Sequence, residues 1–344
     1  MTAHKETDRL RKVVESFRDV SVMVVGDLVA DEFVYGEITR VSREAPVLIL
    51  KHRERKVVPG GGGNAVMNLA DLKVNVLPVG MVGNDESGRL LMECLRQKRI
   101  STSGIVKAKG YTTPTKTRIL AYMPHASRQQ VVRVDREPEA LAENHTALRE
   151  LVATTRQYSK VADAVLVSDY GYGAAAPRLL TLIRQKGDFE GIPITLDSRY
   201  RMLEYAGITA ATPNEPEVEE ALKMKIGNDP MRLADAGQQL MKLMKLDSLV
   251  ITRGSDGMVA FQRRKQPVVI PIFGSDQVTD VTGAGDTVIA TFTAALATGA
   301  DTETAARLAN LAGGIVVMKR GTATVSQKEL LQAVEEYGKT LAAH

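Results

Sequence analysis

A single cysteine, Cys94, in 344 residues leaves no internal disulfide and no cysteine-built metal cluster. It falls in the apolar-periodic stretch Leu90–Leu95, where a buried, inert thiol is expected. Long apolar runs are also missing. Nothing approaches the roughly 18 residues of a membrane span, and the opening MTAHKETDRLRKVVESF is polar rather than a basic-then-apolar leader. Charge of one sign is scarce: 45 Lys+Arg stand against 41 Asp+Glu, a formal +4 spread along the chain, and aromatic residues make up 4%. Without dense basic blocks or interleaved aromatics, neither a nucleic-acid surface nor a membrane partner is expected, although the charge distribution leaves room for a modest local basic patch that takes a phosphorylated small molecule. His4, His52, His125, His145 and His344 lack metal-ligand spacing and neighbour no recognisable nucleophile. A cytoplasmic protein acting on a small molecule fits these absences.

Enough apolar sequence is present, 44% hydrophobic beside 25% charged, to bury a large core, as one domain or a domain with a smaller appendage. Short β-branched runs alternate with helical stretches: Val22–Val25, Asn64–Leu72, Val76–Val79, Glu86–Gln97, Ala164–Val167, Pro177–Lys186 and Pro193–Leu196. That rhythm predicts an α/β fold with a mainly parallel sheet covered on both faces. After about Asp247 the close-spaced strands Leu249–Thr252, Met258–Phe261 and Pro267–Ile270 predict an antiparallel edge, followed by helices over Gly283–Thr298 and Thr302–Met318. Two segments, 33–57 and 111–136, show strand alternation without a helix and predict one small sheet projecting from the main domain. The expected organisation is a polar extension over 1–19, a catalytic domain over 20–335 carrying that lid, and a tail over 336–344.

The strongest chemical signal is Asp280-Val281-Thr282-Gly283-Ala284-Gly285-Asp286-Thr287, immediately before the apolar stretch Val288–Leu296. Small residues at a helix start let successive N–H groups of Gly283, Ala284 and Gly285 point at one spot, where the helix dipole adds roughly half a positive charge. Such a turn holds an anion. Asp286, kept ionised by those dipoles, can accept a proton from an attacking hydroxyl, and an anion hole beside a base suits phosphoryl transfer. The alternative for Asp286 is a helix cap in an ordinary turn. Pro59-Gly60-Gly61-Gly62-Gly63-Asn64 opens a helix after a strand; its glycines point to close approach of something to the backbone, and Asn64 suits the vicinal hydroxyls of a sugar. Asp27 and Asp31 follow the first strand, where open α/β sheets collect ligands, unless they cap the next turn. Lys116, Arg118, Arg133 and Arg136 sit in the lid, either as a solvated face or to recognise a phosphate already on the substrate.

The glycine run with Asn64 and the block Asp280–Asp286 resemble the two signatures of the ribokinase-like, or PfkB, carbohydrate kinases, over roughly residues 20–335. Within that family the chain is most similar to the branch acting on heptose 7-phosphate, through Val25-Gly26-Asp27, Val41–Val47, Thr115-Lys116-Thr117-Arg118, Ser168-Asp169-Tyr170 and Thr212-Pro213-Asn214-Glu215. The resemblance implies a three-layer α/β/α domain, ATP and Mg²⁺ as cofactors, in some relatives K⁺, and a homodimer through the lid. By the same token Asp286 is the base, Gly283, Ala284 and Gly285 form the anion hole, and Asp31, Gly61 and Asn64 contact the sugar. Asn214 and Glu217 would organise magnesium and phosphates largely through water; Thr252, Gly254 and Gly257 lie on the nucleotide side, and Asn310 near the adenine.

The chain departs from that branch at Tyr172, where a lysine is usual, at Arg43, where proline is usual, and at Asp197-Ser198-Arg199, where Arg199 is placed to restore the lost charge. No nucleotidyltransferase motif follows the kinase region. Two rivals remain. Gly171-Tyr172-Gly173-Ala174 after the strand Ala164–Val167 imitates a dinucleotide fingerprint, with Asp197 at a fitting distance, and would suit an oxidoreductase. A non-catalytic nucleotide- or sugar-binding regulator on the same fold is the other; it has no use for Asp286. Gly338-Lys339-Thr340 is a P-loop decoy, since Ala333 replaces the first glycine.

Overall fold

The structure is a computed structural model that describes residues 3–123, 128–184, 191–274, 280–319 and 321–343. The chain starts with α1 (Ala3–Glu15), β1 (Ser21–Gly26), β2 (Leu28–Val41), β3 (Leu48–Gly61), α2 (Gly62–Asp71), β4 (Asn75–Gly83), α3 (Glu86–Gln97) and β5 (Ile105–Ala108). It continues through β6 (Thr115–Tyr122), β7 (Gln129–Arg136), α4 (Thr146–Tyr158), β8 (Ala164–Asp169), α5 (Pro177–Arg184), β9 (Ile194–Ser198), β10 (Ala210–Ala211), α6 (Glu215–Leu222) and α7 (Pro230–Met244). Last come β11 (Ser248–Thr252), β12 (Met258–Gln262), β13 (Val268–Ile270), α8 (Ala284–Ala297), α9 (Thr302–Val317) and α10 (Gln327–Ala343).

Nine strands form one sheet in the order β13-β12-β11-β10-β9-β8-β1-β4-β5. The pairs from β11 to β5 are parallel, and β12 and β13 add the expected antiparallel edge. Side chains of successive strand residues point to opposite faces, and the two cores follow that alternation. Val22 and Val24 of β1, with Leu166 of β8, pack into a cluster with α1, α2, α8, α9 and α10, whereas Met23, Val25 and Val167 join α4, α5 and α7 on the other face. Every buried strand is thus apolar on both sides, as a parallel sheet between two helical layers requires. The helix expected over Pro177–Lys186 forms over Pro177–Arg184, and its last two residues lie outside the described ones.

The lid is a second sheet, ordered β3-β2-β6-β7. It reaches further into the domain than segments 33–57 and 111–136 suggest, because β2 begins at Leu28 and β3 runs on to Gly61. Two expectations about the ends need correcting. Residues 1–19 are no mere polar extension: Leu10, Val14 and Phe17 are fully buried, a stripe at i, i+4 and i+7 that docks α1 on α10. Nor do residues 336–343 form a tail, since α10 runs through them and Gly338 faces Thr7 of α1. The thiol of Cys94 is half-buried rather than buried, and donates to the Val57 carbonyl at 3.4 Å.

Candidate active site

Asp286 lies in the first turn of α8, whose N-cap, Gly283, has a left-handed φ of 79°. A Cβ on Gly283 would sit 2.5 Å from Nδ2 of Asn64, so only glycine lets that amide through. The Asn64 amide donates to Oδ2 of Asp286 at 2.8 Å, and the Tyr170 hydroxyl donates to Oδ1 at 3.0 Å. Both carboxylate oxygens are therefore held. Burial pushes the Asp286 carboxyl up to about 6, with the Asp31 charge adding to it, against the pull of Asn64, Tyr170 and Lys116. The dipole of α8 is expected to keep this group ionised, but burial raises it instead, to a range where a carboxyl can exchange a proton near neutral pH. Within the expected anion hole the N–H of Ala284 closes the turn on the Val281 carbonyl at 3.2 Å, leaving Gly283 and Gly285 to border the cavity. The Asp280 carboxylate holds the turn through the N–H groups of Thr282 at 2.9 Å and Gly321 at 3.0 Å.

The glycine run serves close approach, but the approaching group is the protein itself. A Cβ on Gly62 would lie 3.1 Å from Cα of Gly26, and one on Gly60 would lie 2.3 Å from Oδ2 of Asp31. Gly61 ends β3 against the Asp27 carbonyl. Asn64 and Asn68, one helical turn apart, form a buried amide ladder: Asn68 donates to the Asn64 carbonyl at 3.0 Å and accepts the Thr287 hydroxyl at 3.0 Å. Asn64, expected on a sugar, is thus first of all a clamp on the Asp286 carboxylate. The pair is legible in retrospect as two amides four apart in an otherwise apolar helix.

Asp27 is the clearest correction. It is fully buried, and its carboxylate accepts the N–H groups of Tyr170 at 2.9 Å, Tyr172 at 2.9 Å and Ala174 at 2.8 Å. Burial raises it to about 6 against those three donors. It organises the loop after β8, and its buried carboxylate presents no exposed face to a ligand. The same bonds dispose of the dinucleotide reading, because the loop's N–H groups are already committed. Asp31, by contrast, stands on the lid at the register position of Lys116, and Lys116 in turn opposes Asp135. Period two puts Asp31, Phe33, Lys116, Arg118, Arg133 and Asp135 on one face, while Glu32, Thr117 and Arg136 occupy the other. Arg118 and Arg133 are directly opposite, a repulsive pair that Asp31 and Asp135 compensate through ion pairs of 2.5 Å each. Lys116, buried, has no such partner among the described residues; its ammonium lies 5.0 Å from the centroid of the Tyr170 ring, and burial lowers its pKa. Arg136 turns away toward Glu32 at 3.9 Å.

On the far side of Asp286 a cavity of about 320 Å³ is lined by Asp197, Arg199, Asn214, Glu217 and Thr252 among others. Asn214 and Glu217 form a capping box on α6, each side chain bonded to the other's N–H, at 2.8 and 2.9 Å. The N-x-x-E spacing therefore has a structural role beside any ligand role. Burial raises Glu217, and burial together with the charges of Asp286, Glu217 and Asp169 raises Asp197 well above the usual carboxylate range. This crowding is what a divalent cation held through water would relieve, and among the described residues no three acidic, His or Cys side chains stand close enough to hold a metal directly. Among the described residues Arg199 lines the same cavity without an ion pair, while Tyr172 points elsewhere, its hydroxyl bonded to Glu137 at 3.3 Å. The two positions do not share a space. Gly254 and Gly257 make the turn between β11 and β12. Asn310 does not line this cavity; its amide donates to the Pro271 carbonyl at 2.8 Å.

No helix of the described residues is long and apolar enough to cross a membrane. The solved structures that the fold resembles include Arabidopsis thaliana ribokinase complexed with ribose and ATP, with TM-score 0.70, 20% identity, and 92% of this chain and 99% of that one covered. They also include Escherichia coli phosphofructokinase-2 in complex with fructose-6-phosphate, with TM-score 0.74, 16% identity, and 92% and 98% covered. At such identities they establish the ribokinase-like α/β fold. In sequence, the bifunctional protein HldE of Geobacter metallireducens is 38% identical over 327 residues, and that of Gluconobacter oxydans 36% over 334. The match covers 93% of this chain but 65% of the first relative's length, so the chain spans just under two thirds of that protein. The sequence model of the pfkB family of carbohydrate kinases matches residues 20–329, from β1 through the turn Gly283–Asp286 into α10. The chain belongs to the pfkB family of carbohydrate kinases.

Proposed function

We propose that the chain transfers the γ-phosphoryl group of ATP to a hydroxyl of a phosphorylated sugar, with heptose 7-phosphate as the first candidate. The observation that carries this reading is the position of Asp286: a buried carboxylate, gripped at both oxygens, between a cationic lid face and an acidic cavity containing Arg199. The sugar lies against Asp31, Gly61 and Asn64, its own phosphate drawn to Lys116 beside Arg118 and Arg133. Asp286 takes the proton from the attacking hydroxyl, and the N–H groups at the start of α8 with Arg199 steady the transferred phosphoryl. ATP lies toward Asn214, Thr252, Gly254 and Gly257, with Asn310 near the adenine. Glu217 and Asp197 would hold magnesium through water, and the ion would supply charge neutralisation for the phosphates. Closure of the lid excludes water and so limits idle hydrolysis. The apolar side chains exposed on the lid, among them Val41, Leu48, Val132 and Val134, favour a second copy of this chain as their cover. A cytoplasmic site, where ATP is available, fits.

The test is a panel of sugars and sugar phosphates, heptose 7-phosphate included, assayed for ADP release with Mg²⁺ in the presence and absence of K⁺. Potassium is included because one solved structure of E. coli phosphofructokinase-2 is in complex with it. The expected result is sugar-phosphate-dependent ADP release and a doubly phosphorylated product. ATP binding without acceleration by any member of the panel would overturn the reading.

A further inference from the structure

We propose that Tyr170 is a positioning residue for the base, its hydroxyl fixing one carboxylate oxygen of Asp286 while Asn64 fixes the other. The inference rests on Asp286 acting as the base. A carboxylate offers about four lone-pair sites on two oxygens, and which of them meets the substrate proton depends on rotation about the Cβ–Cγ bond. With Oδ1 held by the Tyr170 hydroxyl at 3.0 Å and Oδ2 by the Asn64 amide at 2.8 Å, that rotation is blocked. Each oxygen keeps one lone-pair site in a fixed direction.

Tyr170 is itself fixed from three sides. Its N–H donates to Oδ2 of Asp27 at 2.9 Å, the neighbouring Tyr172 and Ala174 bind the same carboxylate, and Lys116 of the lid lies 5.0 Å from its ring centroid. The buried acid after β1 thus reaches the chemistry through the loop: Asp27 orders residues 170–174, and the loop delivers a phenol to Asp286. Burial and the adjacent Asp286 charge hold that phenol well above its usual pKa, which keeps it a donor. The other groups whose charge acts around Asp286 and Tyr170 are Asp31 of β2, Lys116 of β6, and Asp197 and Arg199 at and after the end of β9, with Glu217 of α6 on the same cavity. None of these donates to an oxygen of Asp286 among the described residues.

Tyr170→Phe deletes the hydroxyl and keeps the ring, the Lys116 contact and the main-chain bond to Asp27. Its expected effect is a fall in kcat of about ten- to a hundredfold with KM for ATP within about twofold. The acidic limb of kcat against pH should move upward by about half a unit or more, because the carboxylate has lost a stabilising donor. Replacing Tyr170 by 3-fluorotyrosine, a stronger donor of nearly the same size, should move that limb down and keeps the test open should the phenylalanine variant not fold. A residue that merely fills space moves the limb in neither case. Unshifted profiles in both variants, beside an Asp286→Asn enzyme that is a hundredfold slower, would overturn the role of Tyr170 and leave the base in place. An Asp286→Asn enzyme as fast as its parent would instead remove the base, and with it the reading on which this inference depends.

Discussion

Across the candidate site the two walls hold their charges differently. On the core side Asp286 is 5% exposed and is held by neutral donors, an amide and a phenol, themselves anchored by the Asn68 ladder and by Asp27. On the lid side the charges ride on a sheet whose outer strand, β7, is exposed along its whole length, and they are held by ion pairs between side chains. Hydrogen bonds from buried neutral groups fix geometry without adding mobile charge, as proton abstraction needs, whereas on the lid the part-exposed Arg133–Asp135 pair can exchange partners and the largely buried Arg118–Asp31 pair keeps a cation facing the same space. Under the proposed function, chemistry belongs to the core wall and selection to the lid.

The substitution that strains this comparison hardest is Asp286→Asn. It keeps the shape and removes the basic oxygen, and kcat should fall by about 10²–10⁴ with ATP affinity nearly unchanged, read by steady-state turnover beside calorimetric ATP binding. The same variant should melt higher at pH 7.5. A carboxyl whose folded pKa is about 6, against a model value of 3.8, binds its proton more tightly when folded, so it favours folding at low pH and that support is lost as the pH rises through 6. Removing the charge should raise the melting temperature by a few degrees, measured by calorimetry at pH 5 and 7.5, with the larger gain at the higher pH.

A smaller effect is expected from the lid. Lys116→Ala removes the one lid cation of this face that lacks a carboxylate partner among the described residues, and should raise KM for a sugar phosphate about tenfold or more while leaving kcat within about threefold. Arg118→Ala is a poorer probe, because it also strands Asp31. Smaller still is the pH effect on the parent enzyme: kcat/KM should rise with pH through a limb near 6, where the Asp286 carboxyl ionises, and a limb near 4 would show that burial does not govern it.

Much of this arrangement is legible in the sequence. The strand and helix rhythm, the antiparallel edge and the turn Gly283–Asp286 are local patterns, and local patterns survive without knowledge of contacts. What was not legible depends on partners distant in sequence. Asp27 looked like a ligand because it follows the first strand, but its charge is absorbed by N–H groups more than a hundred residues on. Tyr170 was visible as part of a family signature and gave no hint of its bond to Asp286. The glycines at 60 and 62 were rightly read as sites of close approach, but which group approaches is a tertiary fact. In α1 and the turn after it the three buried side chains Leu10, Val14 and Phe17 are outnumbered by charges, so composition hid a docking stripe that only spacing reveals.

The most direct test of the division between the walls is a matched pair of acceptors, the best sugar phosphate and its dephosphorylated form, assayed with the parent, Asp286→Asn and Lys116→Ala enzymes. The account predicts that Asp286→Asn loses kcat by a similar factor on both acceptors, while Lys116→Ala loses kcat/KM on the phosphorylated one and is close to the parent on the other. A Lys116→Ala enzyme equally impaired on both, or an Asp286→Asn enzyme turning over within threefold of the parent, would contradict it.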